Sequence, residues 1–176
     1  MRNKLTYVLS IIYLIALVWI VIFKLNISFS NIKSIRSVNV VPFSKPLILN
    51  GKVDLGEMIL NVLVFVPLGI YAGILLKSWS TGKKIFFFFG VSLLCELFQL
   101  ILGVGVFDVT DIITNTFGGI TGLMIYKGIE KLFKTDVRAQ KFINIIATSG
   151  TILMIVLLLL LKTNNLWIHG RNIRYR

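Results

Sequence analysis

Long runs of apolar residues interrupt this sequence, and each run is long enough to cross a bilayer. A transmembrane helix needs about 20 residues that are mostly apolar. Of the 176 residues, 56% are hydrophobic and 15% are charged, and the mean hydropathy is +0.88. Soluble domains contain about 25% charged residues. The sequence therefore predicts an all-α, polytopic membrane protein rather than a soluble domain.

Hydropathy predicts five transmembrane helices in a single domain that covers residues 1–176. The predicted helices span about residues 5–23, 58–76, 85–102, 109–126 and 142–161. The fourth is the least apolar, so it is the first to be removed if the number of spans is lower. A long connection, residues 24–57, joins the first two helices, and its prolines disfavour regular helix. We expect an ordered or partly re-entrant loop over the bundle.

The basic residues lie between and beyond the apolar runs, where membrane anchors are found. The chain has 19 basic and 7 acidic residues, which gives a formal charge of +12. No nucleic-acid-binding motif accompanies these charges, so we expect membrane lipids as partners and no nucleic acid. The short loop 77–84 carries three lysines, and the loop 103–108 carries no basic residue. This asymmetry favours a cytoplasmic N-terminus and an external C-terminus.

Polar residues recur at helical spacing near one end of three predicted helices. They are Glu57 and Asn61 in the second helix, Ser92, Glu96 and Gln99 in the third, and Asp108, Asp111 and Asn115 in the fourth. Spacings of three, four and seven residues place each set on one helix face. Successive helices reverse direction, so these ends share one side of the membrane with the connection that carries Arg36. The pattern predicts a polar cup that opens on that side.

Glu96 is the most informative of these residues, since it lies inside a run of Phe, Val and Leu. An acid at the centre of a membrane helix costs about 2.5–3.5 kcal/mol, so it normally faces the bundle and has a partner. Protonation of Glu96 would lower this cost, and so would Arg36, Gln99 or an incoming cation. Two simpler interpretations stay open. Asp108 can cap the fourth helix with Asp111 in its first turn. Glu96 and the nearby amides can form only a hydrogen-bond network between helices.

Small residues continue the polar faces of the second and fourth helices. In the fourth helix they are Gly118, Gly119 and Gly122, and in the second Gly69 follows Pro67. Small residues let membrane helices approach closely. Pro67 lacks a backbone N–H and is expected to kink its helix. We therefore expect a bundle that is closed on the glycine side and splayed at the polar cup.

Catalytic motifs receive little support from this sequence. With one histidine and one cysteine there is no Ser-His-Asp or Cys-His set, and no P-loop or H-E-x-x-H is present. Carboxylate acid–base chemistry stays open, as does a divalent cation held by Glu96, Asp108 and Asp111, although the spacing specifies neither. We expect no cofactor, no Cys-based metal site and binding rather than catalysis.

Four segments resemble the VanZ-like family in sequence, order and spacing. They read RSVNVVPF (36–43), NVLVFVPLG (61–69), SLLCELFQ (92–99) and DVTDIITNTFGG (108–119). The resemblance covers roughly residues 5–126. Carried over position by position, the family pattern picks out Arg36, Asn39, Pro42, Phe43, Asn61, Phe65, Pro67, Gly69, Glu96, Gln99, Asp108, Asp111, Asn115 and Gly118.

The resemblance implies a plasma-membrane protein of Gram-positive bacteria that lowers susceptibility to lipoglycopeptides such as teicoplanin. Many family members carry Arg where this chain has Gly105, and that departure is similar to the teicoplanin-resistance branch. It also leaves Arg36 as the expected partner of the acids. The implied ligand is the acylated antibiotic or a lipid-linked peptidoglycan precursor. We rank a binding protein first, an enzyme that modifies such a substrate second, and a non-catalytic scaffold for cell-wall machinery third.

Overall fold

The structure, a computed structural model, describes residues 4–23, 37–43, 48–49, 52–53 and 55–172, with the backbone alone at 48–49, 52–53, 157–158 and 161–172. The helices are α1 (Lys4–Phe23), α2 (Gly56–Leu75), α3 (Thr81–Leu102), α4 (Val109–Phe133) and α5 (Asp136–Asn172). The strands are β1 (Val38–Asn39), β2 (Ile48–Leu49), β3 (Lys52–Val53) and β4 (Phe107–Asp108). β1 pairs in parallel with β4, and β2 pairs antiparallel with β3. The described part of the chain is therefore almost entirely helical.

Several helix ends differ from the predicted bounds because helices continue through polar turns that hydropathy does not detect. α3 begins at Thr81 rather than at residue 85, since the Ser80 hydroxyl accepts a hydrogen bond from the Lys83 amide at 3.3 Å and caps the helix. α4 continues to Phe133 rather than ending at residue 126. α5 begins at Asp136 rather than at residue 142 and continues beyond the predicted residue 161. At these ends the helices are longer than the apolar runs from which the spans were predicted.

Four helices of the described chain are long and apolar enough to cross a membrane, where the sequence predicted five. They are α1 (Lys4–Ile22), α2, α3 and the Asp136–Val156 part of α5. Many of their exposed side chains are apolar, as at Ile15 of α1 and Leu153 of α5. α4 does not meet this criterion. It contacts α2, α3 and α5, so much of its surface is covered by protein and needs less hydrophobicity.

Glycines bring α2 and α4 into the most extensive helix contact of the described residues. A Cβ atom at Gly118 or Gly122 would meet the backbone carbonyl of Val62 or Val66 on α2, and one at Gly69 would meet the backbone of α4. We call these three glycines the glycine seam. The two backbones approach each other in the way that small residues permit in membrane helices.

Tyr13 of α1 is inserted into the hydrogen-bond ladder of α2 beside Pro67. Its hydroxyl donates to the Val64 carbonyl at 2.8 Å and accepts from the Leu68 amide at 3.1 Å. These two backbone groups are four residues apart and would pair directly in an uninterrupted α-helix. The sequence predicted the irregularity at Pro67 but not the tyrosine that occupies it.

α1 also contacts α5 through buried polar groups near its own start. The Thr6 hydroxyl, which is fully buried, accepts from the Gln140 amide at 2.7 Å and from the Asn144 amide at 3.0 Å. Apolar packing dominates farther along α1, where Leu17 joins a core that includes Phe65, Phe88 and Cys95. Cys95 is buried within this core.

Candidate functional site

A cavity of about 370 Å³ lies among the ends of α1, α2, α3 and α4. Its polar lining consists of Glu57, Asn61, Glu96, Gln99 and Asp111, and its apolar lining of Ile20, Val21, Leu60 and Val64, with Gly56. The volume lies in the range of about 300–1,000 Å³ that is typical of small-molecule sites. Five polar residues named from the sequence thus line one cavity. The contribution of α1 could not be predicted from the sequence, because Ile20 and Val21 look like ordinary lipid-facing residues.

Glu96 lines this cavity, and its side chain is 1% exposed. Its Oε2 atom accepts a hydrogen bond from the backbone N–H of Asp108 at 3.0 Å. A buried carboxylate requires such donors, because removing it from water is otherwise costly. The bond ties α3 to the residue that precedes α4. The predicted partner Arg36 lies outside the described residues.

Asp108 is the N-cap of α4, as the simpler interpretation of this residue predicted. One carboxylate oxygen accepts from the Thr110 amide at 2.8 Å, and the other accepts from the Asn39 side-chain amide at 2.9 Å. Asp111 lies in the first turn of the helix and is 8% exposed. The two acids of this motif therefore differ in place, since Asp108 holds structure together and Asp111 lines the cavity.

Residues 37–43, which we call the strap, are held against the start of α4. Besides the Asn39 bond, the Ser37 carbonyl accepts from the Phe107 amide at 3.0 Å, and the Phe43 amide donates to the Thr110 hydroxyl at 3.0 Å. Phe43 follows Pro42 in a turn and has a φ of 56°, a conformation that is uncommon for bulky residues. The hydrogen bond to Thr110 helps to hold it there. Of the predicted loop 24–57, the residues described before α2 are 37–43, the short strands β2 and β3, and Leu55.

The buried amides each bond to a different helix. The Gln99 Nε2 atom donates to the Val21 carbonyl at 2.8 Å, and the Asn115 Nδ2 atom donates to the Ser92 hydroxyl at 3.0 Å. Other polar atoms of the buried amides lack hydrogen-bond partners in the part of the chain that the structure describes. Gln99 Oε1, Asn115 Oδ1 and Asn61 Nδ2 are buried and have no hydrogen-bond partner among the described residues.

The other described residues that the sequence singled out lie outside the cavity lining. Asn115, Ser92 and Phe65 are completely buried, and Gly119 lies against the Phe88 ring. A Cβ atom at Gly105 would lie 3.3 Å from Gln99 Nε2, so this position borders the site. Within the described parts of the chain, no group of three or more His, Cys, Asp or Glu side chains is arranged to hold a metal ion.

We expect Asp108→Ala to destabilise the protein by about 1–3 kcal/mol, since it removes an N-cap and the hydrogen bond that holds the strap. Thermal unfolding of the purified protein measures the change. The double variant with Asn39→Ala should be less destabilised than the sum of the two single variants, because both lose the same bond. Strictly additive effects would contradict the contact between strap and helix.

The apolar helices, together with a cavity lined by polar and apolar residues, define a helical membrane protein with a candidate binding site at one end of its bundle. The pattern of the VanZ/LLP1 family matches residues 10–134. Protein VanZ of Enterococcus faecium is 34% identical over 155 residues, which cover 87% of this chain and 89% of that protein. The chain belongs to the VanZ/LLP1 family, and the resemblance stated from the sequence is confirmed. No solved structure matches the chain.

Proposed function

We propose that the protein lies in the bacterial plasma membrane and crosses it five times, with its N-terminus in the cytoplasm and its C-terminus outside. Segments 77–84 and 127–141, at the end of the bundle opposite the cavity, contain eight basic and two acidic residues. Excess Lys and Arg mark the cytoplasmic side of membrane proteins. α4 would be the fifth span, and its low hydrophobicity would be tolerated because neighbouring helices cover it. The cavity then opens toward the cell wall.

The protein would lower susceptibility to teicoplanin by binding an amphiphile in this outward cavity. The observation that carries the proposal is the composition of the cavity wall, in which Glu57, Asn61, Glu96, Gln99 and Asp111 face an apolar side built by α1 and α2. Ligand sites combine an apolar lining with a few polar groups that fix orientation. A polar head group would meet the acids and amides, and an acyl or polyprenyl tail would follow the apolar side. The ligand is either the acylated antibiotic or a lipid-linked peptidoglycan precursor.

We expect Glu96→Gln and Asp111→Asn each to abolish most of the teicoplanin resistance that the protein confers. Each change keeps the side-chain shape and removes a charge at the cavity. The measurement is the minimal inhibitory concentration in a susceptible Gram-positive host at matched expression, compared with the strain that carries the empty vector. Glu130→Gln is the control, since this acid lies toward the opposite end of the helix that carries Asp111. Unchanged resistance in both cavity variants would overturn the proposal.

Two further measurements separate binding from the alternatives. The three carboxylates of the cavity wall would favour an enzyme. If the protein is an enzyme, mass spectra of cells that express it should contain a modified antibiotic or lipid precursor. Binding predicts no new species. If the protein is a scaffold and the polar residues only pack the bundle, the same two variants should lose thermal stability together with resistance. Binding predicts that they lose resistance and remain folded.

A further inference from the structure

Two atoms of the cavity-lining amides have no hydrogen-bond partner among the described residues, although they are buried. Gln99 is 1% exposed, and its Nε2 atom is committed to the Val21 carbonyl, which leaves Oε1 as an acceptor without a donor. Asn61 Nδ2 is a donor without an acceptor. Both residues line the cavity. A buried polar group without a partner destabilises the folded state, so its retention requires an explanation.

The orientation of Gln99 follows from its contact with α1. A backbone carbonyl can only accept, so the side-chain nitrogen must face Val21, and the oxygen must be the atom without a partner. Asn115 repeats this arrangement one helix away, where its Nδ2 atom bonds to Ser92 and its Oδ1 atom lacks a donor. The cavity wall thus presents one unused acceptor and one unused donor, both on uncharged side chains.

This pair of atoms distinguishes ligand classes. A hydroxyl or an amide both donates and accepts, so one such group, or two neighbouring ones, can serve both Gln99 and Asn61. A fully ionised phosphate only accepts, so it would leave Gln99 Oε1 without a donor. An ammonium group only donates, so it would leave Asn61 Nδ2 without an acceptor.

Building on the proposed function, we propose that the part of the amphiphile held in this cavity is a neutral head group rich in hydroxyls or amides, such as a glycosyl group, and not its phosphate. The phosphate of a lipid-linked sugar would then lie outside the contact with Gln99 and Asn61. For an acylated antibiotic the same inference places a sugar or amide portion in the cavity.

The experiment compares three amphiphiles of equal chain length with different head groups. The full-length protein in nanodiscs of zwitterionic lipid is titrated with n-octyl β-D-glucoside, n-octyl phosphate and n-octylammonium. Its melting temperature is followed by intrinsic tryptophan fluorescence. A ligand that binds only the folded state raises the melting temperature in a concentration-dependent way. We expect the glucoside to raise it and the other two amphiphiles to leave it unchanged.

Asn61→Leu tests the role of the unpartnered donor. Without ligand this variant should melt at the same temperature as the wild-type protein or higher, because it removes a buried group without a partner. It should also lose the rise caused by the glucoside. Asn144→Leu is the matched control. This buried asparagine is bonded to Thr6 at the other end of the bundle, so its loss should lower the melting temperature and preserve the rise.

Three results would overturn the inference. They are an equal rise with n-octyl phosphate, no rise with the glucoside, or a lower melting temperature of ligand-free Asn61→Leu, which would mean that water already satisfies the amide. These results leave the cavity's role in resistance to be judged by Glu96→Gln and Asp111→Asn. If those variants keep full resistance while the glucoside binds as expected, the proposed function fails and the ligand class stands.

Discussion

Gly122→Ala is expected to lower the stability of the protein by about 1–3 kcal/mol or more, although it adds a single methyl group. The new Cβ atom would overlap the Val66 carbonyl oxygen and lie 3.1 Å from the Cα atom of Gly69. Both obstacles belong to backbone, so no change of rotamer can relieve them. α2 and α4 must move apart, and the loss of contact extends along the glycine seam. Thermal unfolding in detergent or nanodiscs measures the effect.

Gly128→Ala on the same helix is the control for this prediction. A Cβ atom at Gly128 would meet nothing within 4 Å. Alanine in a helix interior is more favourable than glycine by about 0.5–1 kcal/mol, because glycine loses more conformational freedom on folding. The two substitutions are chemically identical and should have effects of opposite sign. Equal melting temperatures for the two variants would show that the backbones of α2 and α4 are not in close contact.

Tyr13→Phe is expected to destabilise the protein by about 1–3 kcal/mol, because it leaves two buried backbone groups without their partner. The variant keeps the ring and its packing, and it loses only the hydroxyl that connects the Leu68 amide with the Val64 carbonyl. Tyr7→Phe is the control on the same helix, since Tyr7 is exposed. Melting temperatures of the two variants provide the comparison.

The effect of Tyr13→Phe should depend on Pro67. In a Pro67→Ala background the helix regains a backbone N–H, and its ladder can close without the hydroxyl. The same tyrosine substitution should then cost less, and a double-mutant cycle measures the difference. Independent effects of the two substitutions would indicate that the hydroxyl and the proline do not form one structural unit.

Much of the helical architecture could be predicted from the sequence, because hydropathy and helical spacing are local properties. The five helices lie where the apolar runs predicted them, and the glycines of α4 face another helix as expected. The number of membrane spans is harder to predict from hydropathy. Hydropathy assumes that a spanning helix faces lipid, whereas α4 is covered by its neighbours and carries Asp111, Asn115 and several glycines on buried positions.

The candidate site was predictable as a set of residues but not as a set of contacts. The periodicity of Glu96 and Gln99 places both on one face of α3, and reversal of the chain places Asp111 at the same end of the bundle. Periodicity contains no information about which backbone group each side chain meets. The bonds of Gln99 to Val21 and of Glu96 to the Asp108 amide depend on distances between elements, and so does the pairing of strap and β4.

The polar contacts of α1 have a consequence for the order in which this protein assembles. This helix is made before the other four, and its buried groups bond to partners on segments made later. Tyr13 bonds to α2, and the Val21 carbonyl bonds to Gln99 of α3. Thr6 bonds to Asn144, which is 138 residues away in the chain. In lipid, such groups have no water to bond with in the meantime. The polar contacts of α1 can therefore be complete only after the segment that contains residue 144 has been made.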